Sequence, residues 1–325
     1  MRRSIAIAAL GLLALVVLTF QGGYKVTGDP SWTRWRIEIN IPHVEFKGRA
    51  KIWAPIPRSW DEQRDVAIIT ITPNPNDLYQ DGTFGNQIAY WRRNVNNASS
   101  ISLTFDISLL RQEWLIDPNN IGEYDLDDPE IQLYLSPNTH IQSDHPEIIQ
   151  TAVRIIDGEA NPYRKAKKIL DFVCHYGIWG DRPNADALSA LRTHRGQCEA
   201  YSFLFVALAR AANIPARPVS GIANLTPGRS TSVSGGPNGE NGYHIWSEFY
   251  LPNYGWIPVD ATPRCLLGTL SGDRIALSKG TDIDVGHGGP ILSFFHIPII
   301  SMDALGDRWF QLGKYFEMVV SRIEP

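Results

Sequence analysis

The first third of the chain contains runs in which apolar and polar residues alternate. Residues 35–41, 49–54 and 101–107 each show this alternation. A period of two is typical of half-buried β-strands, because successive side chains point to opposite faces of a sheet. Stretches rich in Pro, Asn and Gly separate the runs and predict turns. The pattern up to about residue 115 therefore predicts an antiparallel β-sandwich.

The hydrophobic period changes after an acidic connector at residues 125–130. Residues 145–156 and 162–176 have apolar residues at helical spacing, each with a proline where the first helical turn would lie. A further helix is predicted at 199–212, where the side chains are apolar almost all round, and Asn213-Ile-Pro215 ends it.

Three strands are predicted to follow this helix. They lie at residues 216–222, 243–251 and 256–260. A loop rich in Gly, Ser and Asn, residues 226–242, separates the first two strands and is expected to be mobile.

The expected fold class is α+β. A β-sandwich domain is placed at residues 24–135, and a domain in which a buried helix packs on an antiparallel sheet is placed at 136–325. The pattern leaves the role of residues 266–325 open. Within this tail, residues 309–323 fit a strand and an amphipathic helix equally well.

Composition and charge exclude several classes of protein. The chain has 325 residues, 43% of them hydrophobic, which is enough for one large domain or two ordinary ones. Its formal charge of −4 is spread without long runs of either sign, so the sequence predicts no nucleic-acid partner.

The N-terminus predicts export. Arg2 and Arg3 precede an apolar run at residues 5–20, and no clear small-x-small cleavage site follows it. We expect residues 1–23 to be a signal peptide or a membrane anchor that attaches through residues 4–20, with a buried helix as the alternative. Since basic residues stay inside, the remaining chain is expected in the periplasm or outside the cell, free or anchored to the membrane.

The cysteines predict neither a metal site nor a cofactor. There are three, Cys174, Cys198 and Cys265, and none forms a Cys-x-x-Cys pair. An odd number in an exported protein leaves at least one thiol unpaired. We expect Cys174 and Cys265 to be two separate buried thiols, and a disulfide between them is the alternative.

Cys198 stands where the loop Arg195-Gly-Gln197 turns into the predicted buried helix. Free backbone N–H groups and the positive end of the helix dipole favour a thiolate there. The same N–H groups could receive the oxyanion of a tetrahedral intermediate. The structural alternative is a small buried side chain at a helix start.

A thiolate nucleophile needs a base within hydrogen-bond reach, and the base needs a group that holds its tautomer. His244 opens one predicted strand and Asp260 closes the next, with a hairpin turn predicted at 252–255. If Tyr250 lies opposite Trp256 around a five-residue loop, His244 and Asp260 are diagonal neighbours on one face of the sheet. Either residue alone could instead be structural, as a half-buried histidine or a turn residue.

Four sequence blocks together resemble the core of the transglutaminase-like superfamily. They are Arg195-Gly-Gln-Cys198-Glu-Ala-Tyr, Ala209-Arg-Ala-Ala-Asn-Ile-Pro-Ala-Arg217, His244-Ile-Trp-Ser-Glu248 and Gly255-Trp-Ile-Pro-Val-Asp260-Ala-Thr-Pro. The resemblance covers residues from about 161 to 263, and the blocks keep the family order of Cys, His and Asp. The resemblance implies a papain-like α+β core. Residues 51–57 also resemble the N-terminal β-domain of exported bacterial members.

The resemblance implies a catalytic role for three residues. Cys198 would be the nucleophile, His244 the general base and acid, and Asp260 the residue that orients it, with no metal or cofactor required. Gln197, beside the nucleophile, could assist the oxyanion or merely cap the helix.

For other residues near these blocks the sequence supports a functional role less strongly. Trp246 and Trp256 could line the substrate groove and shield the thiolate, or they could belong to the core. Glu248 and Arg217 match the family pattern and are expected to form structural polar contacts. His194 is a rival base, but its place before the helix points it poorly.

The predicted activity is cysteine-dependent acyl transfer on protein or peptide amides. Water as the acceptor gives a peptidase or amidase, and a lysine gives a transglutaminase. The sequence leaves these two open. A different class of function is the alternative: a catalytically inactive module that binds protein at the cell envelope.

Overall fold

The computed structural model describes residues 25–26, 30–41, 48–95, 100–180, 186–227, 230–232, 242–303, 308–312 and 317–323. The predicted export segment at 1–23 and most of the predicted loop at 226–242 lie outside these residues. Within the described part of the chain, no helix is both long enough and apolar enough to cross a membrane.

The strands of the described chain are β1 (Lys25–Val26), β2 (Ser31–Ile41), β3 (Gly48–Ile56), β4 (Gln63–Thr72), β5 (Asp77–Gln80), β6 (Gln87–Val95), β7 (Ile101–Leu115), β8 (Ile178–Trp179), β9 (Arg195–Gly196), β10 (Ala216–Ala223), β11 (Ser230–Ser232), β12 (Gly242–Leu251), β13 (Gly255–Asp260), β14 (Leu266–Leu267), β15 (Thr269–Ser271), β16 (Ile275–Lys279), β17 (Ile283–Asp284), β18 (Ile291–Leu292), β19 (Ile299–Met302), β20 (Trp309–Gln311) and β21 (Glu317–Arg322). The helices are α1 (Pro129–Leu135), α2 (Pro146–Ile156), α3 (Pro162–Tyr176), α4 (Ala187–Thr193) and α5 (Cys198–Ala211), with a 3₁₀ turn at Pro118–Asn120.

Two antiparallel sheets form a β-sandwich. One has the strand order β1-β7-β2-β21-β11, with β4 and β15 also paired to β7, and the other has the order β20-β19-β3-β6-β5. Strand β2 buries every second side chain, namely Trp35, Ile37, Ile39 and Ile41. The apolar residues of the alternating sequence therefore form the inner face of this strand. Side chains from both sheets share one core. The mixed α+β class and the antiparallel sandwich are therefore confirmed.

A third antiparallel sheet, with the order β14-β13-β12-β10-β16, forms the core of the second part of the chain. Helix α5 packs on this sheet, and α2, α3 and α4 pack against α5 around one apolar cluster. The helix α5 is buried almost all round, as its sequence predicts, and each fully buried Phe or Leu in it contributes about 1.5–3 kcal/mol. Helices α2 and α3 begin at the prolines that predicted them, Pro146 and Pro162.

The C-terminal residues join both parts of the molecule. Strand β16 extends the third sheet by pairing with β10, whereas β19 pairs with β3 and β21 with β2 in the sandwich. For residues 309–323 the sequence fits a strand and a helix equally well. The structure has strands there, β20 and β21. The partner of β21 is β2, more than 250 residues earlier in the sequence, so the local sequence around β21 does not indicate that it forms a strand.

Cys174 and Cys265 form a disulfide, with their Cα atoms 5.7 Å apart. The expectation of two separate thiols is therefore wrong. The bond links the last turn of α3 to the segment that follows β13, and Cys265 adopts the left-handed backbone conformation with φ 52°. Cys198 is the remaining cysteine; its thiol is free, and the residue as a whole is half-buried.

Candidate active site

Cys198 is the first residue of α5. Gln197 occupies the N-cap position in an extended conformation, and its side chain makes no cap hydrogen bond. The first backbone N–H groups of a helix have no partner within the helix, so they point toward the region around the sulfur. The predicted location of Cys198 at a helix N-terminus is confirmed.

Two buried serines fix α5 against the neighbouring strand β12. The hydroxyl of Ser202 donates to the carbonyl of Ile245 at 3.0 Å, and the hydroxyl of Ser247 donates to the carbonyl of Ser202 at 3.3 Å. The backbone of Ile245 also acts on the Cys198 thiol, whose pKa it lowers. Because Ile245 directly follows His244, these bonds bring the thiol to the part of the strand that carries the histidine.

His244 and Asp260 come together through the pairing of β12 with β13. Tyr250 lies opposite Trp256, as predicted, and the pairing continues in the same register along both strands. The turn is tighter than the predicted five-residue loop, because Leu251 and Gly255 also pair. This leaves the register unchanged. The Nε2 atom of His244 lies 2.9 Å from Oδ2 of Asp260.

Asp260 is 1% exposed, and both of its carboxylate oxygens are engaged. Oδ1 accepts from the hydroxyl of Thr262 at 2.7 Å, and Oδ2 accepts from Arg274 at 2.8 Å as well as from His244. Burial acts to raise the pKa of Asp260, but the hydrogen bond and charge of His244, the charge of Arg274 and the Thr262 hydroxyl outweigh it. They hold the pKa well below its ordinary value, so this carboxylate is ionised at neutral pH.

The environment of Cys198 differs from the expected thiolate site. Removal of the sulfur from water and the neighbouring Glu199 carboxylate raise the pKa of the Cys198 thiol to about 12. Backbone hydrogen bonds from Ile245 and Glu199 act in the opposite direction and are weaker. The predicted resting thiolate is therefore replaced by a neutral thiol, and a base must remove its proton before or during attack.

Residues 149–261 match the family model of the transglutaminase-like superfamily. Over these residues the chain is similar to that superfamily. The recognition made from the four sequence blocks is confirmed. The matched residues include α5, β12 and β13, and hence Cys198, His244 and Asp260.

Known proteins similar to the chain extend the comparison beyond the transglutaminase-like core. The chain is 27% identical over 247 residues to an uncharacterized protein of Haemophilus influenzae, which covers 66% of this chain and 64% of that protein. It is 28% identical over 133 residues to the uncharacterized protein YebA of Bacillus subtilis, covering 36% of this chain and 18% of YebA. The chain thus spans less than two-thirds of either relative.

A solved structure has the same fold over most of its length. It is that of a candidate cysteine protease from Cytophaga hutchinsonii, with a TM-score of 0.63 and 18% sequence identity. The match covers 91% of this chain and 93% of the other, so the likeness includes the sandwich as well as the transglutaminase-like core.

The two tryptophans proposed for the substrate groove lie in different places. Trp246 is 1% exposed and stacks near His244, with the ring centroids 6.3 Å apart. Trp256 lies toward the hairpin turn, where it contacts Tyr134 and Tyr250 and packs under the guanidinium of Arg217 at 3.7 Å. The structure therefore brings Trp246, and not Trp256, to the His244–Asp260 pair.

The remaining predicted residues have structural contacts in the transglutaminase-like core. Arg217 and Glu248 form a buried ion pair at 2.9 Å, as expected. His194 caps the C-terminal end of α4 in a left-handed conformation, and its Nε2 atom lies 2.7 Å from the Tyr176 hydroxyl. The ring of the rival base is thus engaged by Tyr176.

Three residues at the site were missed by sequence reasoning: Ser202, Glu199 and Arg274. Ser202 and Glu199 belong to the helical block that carries Cys198, so their proximity to the sulfur could have been proposed from the helix position. Arg274 lies 14 residues after Asp260, and the sequence between them has no periodic pattern. No signal in the sequence connects it with the aspartate.

Proposed function

We propose that this chain catalyses cysteine-dependent acyl transfer on peptide or protein amides. Cys198 is the nucleophile, His244 the general base and acid, and Asp260 the residue that orients the imidazole. One observation carries the proposal: His244 is hydrogen-bonded to Asp260 and lies on β12, and Ser202, one turn after Cys198 in α5, donates to the carbonyl of Ile245 in the same strand. A transglutaminase-like core and a fold shared with a candidate cysteine protease agree with it.

The geometry assigns the two nitrogens of His244 to different tasks. The Nε2–H group donates to Oδ2 of Asp260 at 2.9 Å, which leaves Nδ1 with the lone pair that a base needs. The ionised Asp260 also stabilises the imidazolium that forms when His244 takes the proton of the thiol.

The reaction begins from a neutral thiol, since the pKa of Cys198 is raised to about 12. His244 removes the proton of Cys198 as the sulfur attacks the carbonyl carbon of an amide, and the C–S bond forms. Backbone N–H groups at the start of α5, including that of Cys198, receive the oxyanion. The C–N bond then breaks, and the amine or ammonia leaves with the proton from His244.

The second half of the reaction resolves the thioester. Water or an amine attacks the acyl carbon and gives its proton to His244, and the C–S bond breaks as the proton returns to Cys198. Water makes the chain a peptidase or amidase, and a lysine amine makes it a transglutaminase. Both reactions use the same three residues, because the acceptor is chosen by the groove around them.

The proposed location is outside the cytoplasm. The disulfide between Cys174 and Cys265 supports it, because such bonds persist in oxidising compartments and are rare in the cytosol. The basic and apolar pattern of residues 1–23 supports the same conclusion, either as a removed signal or as an anchor through residues 4–20.

Casein tests the reaction, because it offers both peptide bonds and glutamine side chains to the thiol. The purified full chain is incubated with dimethylated casein, and new amino groups, released ammonia and incorporation of dansylcadaverine are measured in parallel. At least one product must form with the wild type and disappear with Cys198→Ala and His244→Ala. The proposal is overturned if no product depends on Cys198 and no acyl group from an activated peptide ester is trapped on its sulfur.

The neutral resting thiol also favours a second candidate function. A thiol with a pKa near 12 is a poor nucleophile until a base acts on it, which suits an inactive module that binds protein through the same groove. Such a module gives no product that depends on Cys198, and Cys198→Ser leaves its binding of casein unchanged. An enzyme loses turnover in the same variant.

A further inference from the structure

Asp260 is held from two sides by cationic and polar groups. Its Oδ2 atom accepts from His244 at 2.9 Å and from Nη2 of Arg274 at 2.8 Å, and its Oδ1 atom accepts from Thr262 at 2.7 Å. The side chains of Arg274 and Asp260 are 6% and 1% exposed. A buried charge pair of this kind has little freedom to move, because losing either partner leaves an uncompensated charge in the interior.

Arg274 stands at the end of a segment anchored to the N-terminal sandwich. We name residues 269–274 the strap. Its first part, β15, pairs with β7 of the sandwich. The carbonyl of Gly272 then accepts a buried hydrogen bond from the indole N–H of Trp35 in β2, at 2.9 Å. The sandwich therefore holds the strap just before Arg274.

The strap is also fixed to the third sheet. The carbonyl of Asp273 accepts from the backbone N–H of Leu225, just beyond β10, at 3.1 Å. Strand β16 begins directly after Arg274 and runs close to β10, where a Cβ atom on Gly221 would lie 1.8 Å from the carbonyl oxygen of Ile275. Gly221 lies opposite His244 in the β10–β12 pairing, so the close approach occurs beside the candidate site.

We propose that Arg274 is a positioning residue, which holds Asp260 and through it the imidazole of His244, and that the N-terminal sandwich supports this arrangement through the strap. The inference rests on the proposed function, in which His244 is the base. It gives the sandwich a role in the reaction.

The charge of Arg274 also acts on the titration of the His244–Asp260 pair. Among the described residues, the titratable and charged groups around the pair include Arg274 before β16, Cys198 and Glu199 on α5, and His296 after β18. His296 is buried, and its removal from water, together with the nearby His244, lowers its pKa to about 3, so it carries no charge at neutral pH. Arg274 is thus the permanent cation among them. It opposes protonation of the pair.

Three variants separate the charge of Arg274 from its bulk. Arg274→Met keeps an apolar chain of similar length and removes the cation, Arg274→Lys keeps the cation, and Trp35→Phe removes the indole bond to the strap together with part of the buried ring. Arg36→Met is the matched control, since Arg36 forms a two-point ion pair with Asp106 in the sandwich at 2.8 and 3.0 Å. Each full-length variant is titrated by NMR of the histidine rings, with the His244 signal assigned by its loss in His244→Ala.

Removing the cation makes protonation of the pair easier. We expect the His244 ring signal of Arg274→Met to titrate about one pH unit higher than that of the wild type. Arg274→Lys should titrate as the wild type does, Trp35→Phe should lie between the two, and Arg36→Met should be unchanged. The acid limb of Cys198 alkylation by iodoacetamide should move in the same order.

The proposal is overturned if folded Arg274→Met titrates at the wild-type midpoint, or if Arg274→Lys behaves as Arg274→Met does. If Arg274→Met does not fold, the other two variants test the proposal. It is then overturned if Trp35→Phe titrates at the wild-type midpoint, or if Arg274→Lys does not. The NMR titration does not depend on turnover. A shifted midpoint without casein products would therefore end the proposed function alone, and casein products with an unmoved midpoint would end this inference alone.

Discussion

The Oε2 atom of Glu199 lies 3.8 Å from the sulfur of Cys198. After burial, this carboxylate is the main reason that the pKa of the thiol is raised to about 12, because a second negative charge forms at its side when the thiol ionises. The same carboxylate lies in the first turn of α5, where the helix dipole favours acidic residues. The Glu199 carboxylate therefore stabilises the helix but makes the thiol less reactive.

Glu199→Gln should make Cys198 more reactive. Removal of the charge lowers the pKa of Cys198, and a fall of about one unit raises the rate of alkylation by iodoacetamide at pH 7 by about tenfold. The rate is measured by peptide mass as a function of pH. Glu147→Gln is the matched control, because Glu147 lies in the first turn of α2 and not beside the sulfur. A rate that is unchanged or slower in Glu199→Gln would show that Glu199 does not govern the thiol.

The core of the candidate site could be predicted from the sequence because its geometry is local. Tyr250 and Trp256 lie near one hairpin turn, so the parity of the pairing placed His244 and Asp260 on one face. The start of α5 placed Cys198 by the same kind of short-range signal.

The rest of the site depends on contacts that leave no local pattern. Arg274 reaches Asp260 from a strap that is held by Trp35, more than 200 residues earlier in the chain. The disulfide likewise joins residues 91 positions apart, and spacing alone favours no partner for either cysteine. The raised pKa of Cys198 depends on burial and on the direction of the Glu199 side chain, which the sequence position of a helix start does not specify.

The low pKa of Asp260 predicts a specific loss of stability in acid. A carboxyl whose folded pKa is depressed contributes stability that is fully present above its unfolded pKa of about 3.9 and is lost as the pH falls through the folded pKa. Asp260→Asn lacks this contribution and leaves Arg274 without its counter-charge, so the free energy of unfolding at pH 7 should fall by about 3–5 kcal/mol.

The pH dependence identifies the cause of that loss. The difference in unfolding free energy between the wild type and Asp260→Asn should stay constant from pH 7 to about pH 5 and shrink below about pH 4. Urea denaturation at a series of pH values measures it. A difference that stays constant down to pH 2 would show that the ion pair with Arg274 and the hydrogen bond to His244 do not stabilise the charged form.

The buried charges behind the site should respond unequally to neutral substitutions. Glu248 lies 2.9 Å from Arg217 and 3.1 Å from Lys279, while Glu62 pairs with Lys279 at 2.7 Å. Burial acts to raise the pKa of Glu248, but its two cations outweigh it and lower the pKa. For Glu62, burial prevails over the single cation and the pKa is raised.

Glu248→Gln should therefore destabilise the fold far more than Glu62→Gln. The first leaves Arg217 with only the exposed Glu130 at 3.8 Å and Lys279 with only Glu62, and it should cost about 3–5 kcal/mol. The second leaves Lys279 with Glu248 as its counter-charge, so the loss in the free energy of unfolding should be smaller. Thermal and urea unfolding of both variants at pH 7 measure the contrast. Equal losses would mean that the two carboxylates share the cations evenly.

The disulfide between Cys174 and Cys265 should stabilise the segment that follows Asp260. It closes a loop of 91 residues that contains α5, β12 and β13, and its removal from a folded domain costs about 2–5 kcal/mol. The paired variant Cys174→Ala/Cys265→Ala should unfold at a lower temperature by an amount that matches the effect of dithiothreitol on the wild type. Dithiothreitol should have no further effect on the variant.

A thiol count tests the pairing itself. Under denaturing conditions without reductant, the wild type should show one reactive thiol, and peptide mass should locate it at Cys198. Three reactive thiols would contradict the pairing. A disulfide that includes Cys198 would do more, because it would remove the proposed nucleophile and make reduction, rather than a base, the first requirement for activity.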